Sequence, residues 1–267
     1  MITSTANHKV KELAELSAKA KARADAGVFV AEGRKLFMEA PLEQIKAVYI
    51  EERCYHDADS EMHKKLDMLS CELVSSEVFR KISDTKTPQG ILAVVKQIKY
   101  ELHALLKGTG AEPPMVLVLE NIQDPGNLGT MLRTAEGAGA AGVVMTRDTA
   151  DIYSPKTIRS TMGAIYRVPF MVTQDLPETL AEIKAAGIHT YAAALAEGAR
   201  VYDEPDYRAP CAFLVGNEGS GLRKETAAQA ECCITIPMSG RVESLNAAMA
   251  AGILMYEAAR QRRSVSK

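Results

Sequence analysis

The stretch Met115-Val-Leu-Val-Leu-Glu-Asn121, continued by Ile-Gln-Asp-Pro-Gly-Asn-Leu-Gly-Thr-Met-Leu-Arg133, decides the fold. It opens as a nearly all-apolar run, the pattern of a parallel strand covered on both faces. Pro125, Gly126 and Gly129 punctuate the second half, and a helix is predicted over 127–138 with Asn127 at its N-cap. Strand, tight turn and helix form the repeating unit of an α/β protein, whose ligands bind beyond the carboxyl ends of the strands.

The alternation continues toward the C-terminus. AGVVMTR (141–147), VPFMV (168–172), HTYAAAL (189–195), CAFLVGN (211–217) and ECCITIP (231–237) read as strands. Between them Ser154 is expected to cap a helix with Pro155 at its first position, and 177–186 reads as another helix. A final helix over 244–260 has Leu245, Met249, Ile253 and Tyr256 at apolar positions, with Ser244 as its cap. The series implies right-handed crossovers and a mainly parallel sheet.

Upstream, residues 99–114 contain Lys107-Gly108-Thr109-Gly110 and Pro113-Pro114, which read as a linker. A boundary near 108 divides the chain into domains 1–107 and 108–267. Within the first, a helix is predicted over 9–24, with Val10, Leu13, Leu16 and Ala20 at helical spacing. VFVAEG (28–33), IKAVYIEE (45–52), CELVSS (71–76) and GILAVVKQ (90–97) read as strands, separated by helices at 34–40, 61–69 and 77–82. This is a second, smaller α/β unit.

Composition narrows the function classes. The chain has 267 residues, 47% hydrophobic and 25% charged, the ordinary globular class. No apolar run reaches the roughly 20 residues of a membrane span, and the N-terminus carries no secretory h-region, so a cytoplasmic protein is expected. The five cysteines show no paired spacing; Cys54, His56 and His63 lack a fourth ligand, so neither a disulfide framework nor a metal site is expected. The net charge of −2 is not that of a general nucleic-acid binder. The distribution is less neutral: residues 1–35 hold seven Lys/Arg against four Asp/Glu, and 260–267 add four positive charges and no acid. Basic ends on a near-neutral body suit a local phosphate footprint, and a solvated helix face with a frayed tail would look the same.

Three strand-end loops carry the chemistry. The first, after 115–121, holds Asn127 and Arg133 six residues apart, both able to border one pocket. The second, Gly216-Asn-Glu-Gly-Ser-Gly221, is neither a dinucleotide fingerprint nor a P-loop, and the Glu218 carboxylate is wrong for phosphate. The third runs from Ile236-Pro-Met-Ser-Gly240 to Ser244-Leu-Asn246. Together they offer a carboxylate, a guanidinium, two amides and a hydroxyl on glycine-lined walls. A ligand with a neutral base and a positive centre fits them. His189 is the only histidine beyond the boundary, which disfavours a hydrolytic triad.

In order, these loops resemble the three signature motifs of the SpoU/TrmH ribose methyltransferases of the SPOUT superfamily. N-x-x-D-P-x-N-x-G-x-x-x-R is met at Asn121, Asp124, Pro125, Asn127, Gly129 and Arg133. G-x-E-x-x-G is met at Gly216, Glu218 and Gly221, and I-P-x-x-G-x-x-x-S-L-N at Ile236, Pro237, Gly240, Ser244, Leu245 and Asn246. The N-terminal region, with Ser4, Asn7, Val10, Lys11 and Phe29-Val-Ala-Glu-Gly33, is similar to the small ribosomal-protein-like RNA-binding domain that precedes the catalytic domain in many members.

The resemblance implies a C-terminal domain with a deep trefoil knot, S-adenosylmethionine as methyl donor without a metal, and transfer to a ribose 2′-OH of RNA. Ribosomal RNA is expected rather than transfer RNA, because members with this N-terminal domain modify large-subunit RNA. It further implies a homodimer with the final helix and the 127–138 helix near the interface. By carry-over, Leu214, Gly216, Asn217, Gly221, Ile236, Met238, Ser244 and Leu245 hold the donor, while Arg133, Asn127, Glu218, Ser244 and Asn246 form the catalytic group. The attacking hydroxyl must lose its proton, so positioning and a base matter. An arginine base would have to give up a very tightly held proton, so a phosphate-clamping role for Arg133 is the better expectation. Two other readings are a non-catalytic RNA-binding protein of the same fold and a nucleotide enzyme resting on the glycine loop alone.

Overall fold

The computed structural model describes residues 1–108 and 112–263. The expected linker residues Thr109 and Gly110, and the end of the basic tail after 263, lie outside the described residues. The chain forms two compact units, Met1–Ile98 with Asp151–Tyr166, and Lys99–Ala150 with Arg167–Lys267.

In the first unit α1 (His8–Ala18) and α2 (Ala20–Ala26) replace the single helix expected over 9–24. The break at Lys19 frees carbonyls at the end of α1, and the Arg23 guanidinium fills them: Nη1 donates to Leu16 O at 2.6 Å and to Ser17 O at 3.1 Å. Arg23 is only 4% exposed, and Asp151 balances its charge. β1 (Val28–Glu32), α3 (Arg34–Glu39), β2 (Ile45–Glu51), α4 (Glu52–His56), α5 (Ser60–Asp67), β3 (Cys71–Val74), α6 (Ser76–Ile82) and β4 (Ile91–Lys96) follow. The sheet order is β1-β4-β2-β3, with β4 antiparallel to both neighbours and β3 parallel to β2. One core packs Val10, Leu13, Phe79, Ile82 and Leu92 between α1, α6 and the sheet.

The second unit begins with a helix where a linker was expected. α7 (Leu102–Lys107) buries Leu102 and Leu105 in the core around Val116, Val144 and Leu180. Then come β5 (Met115–Leu119), α8 (Pro125–Ala138) and β6 (Gly142–Thr146). The next helix, α9 (Pro155–Thr161), belongs to the first unit, where Tyr153 stacks on Phe29 at 5.1 Å and Arg159 pairs with Asp84. The second unit resumes with β7 (Phe170–Thr173), α10 (Leu176–Ala185), β8 (His189–Ala193), β9 (Arg200–Val201), β10 (Cys211–Val215), α11 (Lys224–Gln229), β11 (Cys232–Thr235) and α12 (Ala247–Arg263).

Its seven strands run in the order β7-β6-β5-β10-β8-β11-β9, and every pairing is parallel. From β5 the chain builds outward through β6 to β7, then crosses to the other flank, where β10 inserts between β5 and β8. The loops leaving β5 and β10 therefore diverge at the centre of the sheet, which is where an open parallel sheet leaves a crevice. β5 and β10 are buried at every position, as their uninterrupted apolar sequences require. Among the described residues no helix is long and apolar enough to cross a membrane.

Candidate active site

The turn after β5 is capped differently from the sequence expectation. Asp124, not Asn127, is the N-cap of α8: its side chain accepts from Asn127 N at 2.9 Å, with Pro125 at the first helical position. Asn127 is thus inside the helix with its amide free for other bonds. Its Nδ2 donates to Glu218 Oε1 at 3.0 Å, and its Oδ1 accepts from Asn246 Nδ2 at 3.0 Å. Asn246, not Ser244, caps α12, its Oδ1 accepting from Ala248 N at 2.9 Å and Met249 N at 3.3 Å. That cap aims the Asn246 amide nitrogen at Asn127, which in turn aims the Asn127 nitrogen at Glu218. The three loops close into one directional chain of hydrogen bonds.

Glu218 is the acceptor at its end. Gln123 N donates to Oε2 and Asp124 N to Oε1, each at 3.0 Å, so the carboxylate pins the 216–221 loop to the 121–127 turn. Asn217 adds a second pin, donating from Nδ2 to Asn121 O at 2.9 Å. Asn121 itself sits at φ 56°, a left-handed conformation that asparagine tolerates, and its amide donates to Thr146 Oγ1. Burial would push the Glu218 carboxyl up, but donation from Asn127 and the Gln123 and Asp124 amides outweighs it and holds the group below the ordinary glutamate range.

That depression has a sign. A carboxyl held low contributes stability above its unfolded value, near 4.5 for glutamate, and loses it as pH falls through the lower folded value. Wild type is therefore expected to melt higher than Glu218→Gln near neutral pH, with the gap closing on acidification below pH 4.5. Calorimetry of both proteins across that range checks it. A gap unchanged at acid pH contradicts the ionised clamp.

Beside this constellation lies a cavity of about 780 Å³ over the ends of β8, β10 and β11, within the usual range for small-molecule sites. Of the expected donor-holding residues, Gly216, Asn217, Gly221, Ile236, Met238, Ser244 and Leu245 line it, as does Glu218. Leu214 does not: it is fully buried in β10 within the sheet core. Asn127 and Asn246 form the network next to the cavity rather than its wall. Arg133 is exposed on α8 and has no hydrogen-bond or ion-pair partner among the described residues.

Gly216 is required by close approach. A Cβ there would lie 2.2 Å from Gly221 C and from Leu222 N, both backbone atoms. The loop folds back on itself, with Asn217 N donating to Gly221 O at 3.1 Å and Gly221 N returning to Asn217 O at 2.9 Å. Gly221 adopts φ 67° to close it.

Sequence reasoning passed over Glu120, Asp148, Arg223 and Thr226. Glu120 is 1% exposed, and it accepts from Arg223 N and from Thr226 Oγ1, while Arg223 reaches on to Asp148. The available signal was one charged residue directly after an all-apolar buried strand, since a buried carboxylate there requires partners. Among the described residues no group of three or more His, Cys, Asp or Glu side chains could hold a metal ion.

A cavity over the carboxyl ends of parallel strands β8, β10 and β11, bordered by an amide–carboxylate network, is the arrangement of an α/β protein with a small-molecule site. Comparison with known proteins makes the class specific. Residues 114–256 match the model of the SpoU rRNA Methylase family, and residues 7–93 match the MRM3-like substrate binding domain. The 23S rRNA (guanosine(2553)-2′-O)-methyltransferase RlmP of Bacillus subtilis (strain 168) is 35% identical, over 96% of this chain and 97% of its own. An rRNA methyltransferase from Sinorhizobium meliloti, solved with AdoMet bound, is similar with a TM-score of 0.86 at 31% identity, covering 97% of each chain. The TrmH/SpoU tRNA modifying enzyme of A. aeolicus matches over only 62% of this chain and 82% of its own, at 28% identity and a TM-score of 0.54. The chain belongs to the SpoU rRNA methylase family.

Proposed function

We propose that this protein transfers a methyl group from S-adenosylmethionine to a ribose 2′-OH of RNA, and that ribosomal RNA is the substrate. The observation that carries the reading is the chain of bonds from Asn246 through Asn127 to Glu218, which joins all three family motifs beside one cavity. The Bacillus subtilis and Sinorhizobium meliloti relatives, which share nearly the full chain, are named as ribosomal RNA enzymes, whereas the A. aeolicus transfer RNA enzyme matches over 62% of it.

The cavity suits the donor. Ile236, Leu245 and Leu254 supply apolar surface for a flat base, and the 216–221 backbone and Ser244 supply polar contacts. Bound there, S-adenosylmethionine would supply an electrophilic methyl carbon on a sulfonium. The chain's own part is positioning. Glu218 spends both oxygens on Gln123, Asp124 and Asn127, so it shapes the pocket rather than touching the methyl. Arg133 offers a guanidinium on the solvent side, where an RNA phosphate or ribose would arrive.

Three further parts belong to the same proposal. The region 1–107 binds RNA and 108–267 catalyses, a division supported by separate family matches over 7–93 and 114–256. The knot that the resemblance implies lies within the second region. The protein acts as a homodimer through α8 and α12, for which Met249 and Tyr256, 61% and 46% exposed on α12, offer an apolar contact. Purified protein with methyl-labelled donor is expected to label ribosomal RNA and not transfer RNA, with the label resistant to alkaline cleavage as a 2′-O-methyl group must be. A protein that binds the donor and labels neither RNA would be a non-catalytic member of the fold.

A further inference from the structure

Glu120 lies outside all three motifs, yet it is the most deeply placed carboxylate near the cavity. It directly follows β5, and its amide donates to Val215 O at 2.9 Å, which ties this end of β5 to β10 where the 216–221 loop departs. Its side chain points to where that loop arrives. Oε2 accepts from Arg223 N at 2.8 Å, and Oε1 accepts from Thr226 Oγ1 at 2.6 Å and from Arg223 Nη1 at 3.3 Å. Arg223 occupies the N-cap of α11 and supplies no capping side chain, so the start of this helix depends on Glu120. α11 in turn forms a wall of the cavity through Lys224, Ala227 and Ala228. Arg223 also pairs with Asp148 beyond β6, so the pin is braced from a third strand.

We propose that Glu120 is a positioning residue for the methyl donor: it sets the start of α11, and with it the far end of the 216–221 loop, in the geometry that the donor needs. The inference rests on the donor binding proposed above. At 1% exposure the carboxylate is closed off from a ligand, so it acts through Arg223 and Thr226. Asn217 and Glu218 hold the beginning and middle of the loop to the 121–127 turn; Glu120 holds its end. The first two pins face the catalytic network and the third faces the cavity wall. Its loss should therefore weaken donor binding and leave the turnover of bound complexes in place.

The test is calorimetric titration with S-adenosylhomocysteine, using Glu120→Gln together with the pair Thr226→Val and Thr226→Ser. Valine keeps the shape of threonine and removes the hydroxyl that Glu120 accepts from, whereas serine keeps the hydroxyl. Glu120→Gln and Thr226→Val are expected to raise Kd by about tenfold, the scale of one hydrogen bond to a charged group, with Thr226→Ser within about twofold of wild type. In steady-state assays KM for the donor should rise in parallel, with kcat at saturating donor and KM for RNA within about twofold of wild type. If Thr226→Val lowers the melting temperature but binds as wild type does, the role is structural only and the proposal is overturned. If Glu120→Gln fails to fold, the threonine pair decides alone. Wild type that binds no S-adenosylhomocysteine would overturn the methyltransferase reading itself, a result distinct from either.

Discussion

Replacing Arg133 by alanine is expected to lower methyl transfer by about 10²- to 10³-fold, the scale seen when one charged transition-state contact is removed, while Kd for S-adenosylhomocysteine stays within about twofold. The asymmetry arises from where the side chain sits. Arg133 and Asn127 share α8 but are six residues apart, about 240° around the helix, so they cannot point the same way. Asn127 faces Glu218 and Asn246, and its place is fixed by both. Arg133 faces solvent and lies off the cavity wall, so deleting it should not disturb a ligand held there. A guanidinium with no carboxylate partner among the described residues is matched to a phosphate, for which its planar fork makes two parallel bonds. Arg133→Lys keeps the charge and loses the fork, and should recover only part of the activity.

A clamp and a base leave different traces. Removing a phosphate contact reduces the dependence of RNA affinity on salt by about one ion. Removing a base leaves RNA affinity alone, lowers kcat and changes its pH profile. Arg133 stands exposed on α8, open to an arriving phosphate, so the salt slope is the expected trace. Full activity in Arg133→Ala would remove this residue from the mechanism.

What the sequence disclosed and what it hid divide along a physical line. Buried parallel strands are written in uninterrupted apolar runs, so β5, β6 and β10 were legible directly. Caps were harder, because Asn127, Ser244, Asp124 and Asn246 are all good capping residues and only geometry selects among them. The pair Asp124-Pro125 held the better signal, since proline belongs at the first helical position and the cap precedes it. α7 was hidden by its neighbours: glycine and proline at 108–114 read as a linker, and the buried Leu102 and Leu105 just before them were overridden. The split between α1 and α2 depends on Arg23 reaching back to carbonyls, a tertiary contact that no periodicity encodes. Of the site, motif residues could be named one by one. That Asn246 addresses Asn127 and Asn127 addresses Glu218 required the fold, because the partners are 119 and 91 positions apart.

The other large effect is expected at Gly216. Alanine there would put its methyl carbon 2.2 Å from Gly221 C and Leu222 N and 2.3 Å from Gly221 O. No rotamer relieves such an overlap, because every atom met is backbone. The loop must open, and the first bonds to go are the two between Asn217 and Gly221. Glu218 lies between them in sequence, so its hold on the 121–127 turn loosens as well. Overpacking of this kind costs about 2 kcal/mol or more, which in a chain this long lowers the melting temperature by several degrees, roughly 2–4 °C per kcal/mol. Donor binding should be lost altogether, since Gly216 and Gly221 both line the cavity. Gly221→Ala is the control. Nothing lies within 4 Å of a Cβ at that position, and only φ 67° opposes it, a strain of about 1–2 kcal/mol. It should therefore keep the loop and bind donor with modest loss. If Gly216→Ala instead binds S-adenosylhomocysteine as tightly as Gly221→Ala does, the closed turn is not what forms the donor site. The contrast separates two reasons for a glycine, room for a neighbouring backbone and freedom in φ, within one six-residue loop.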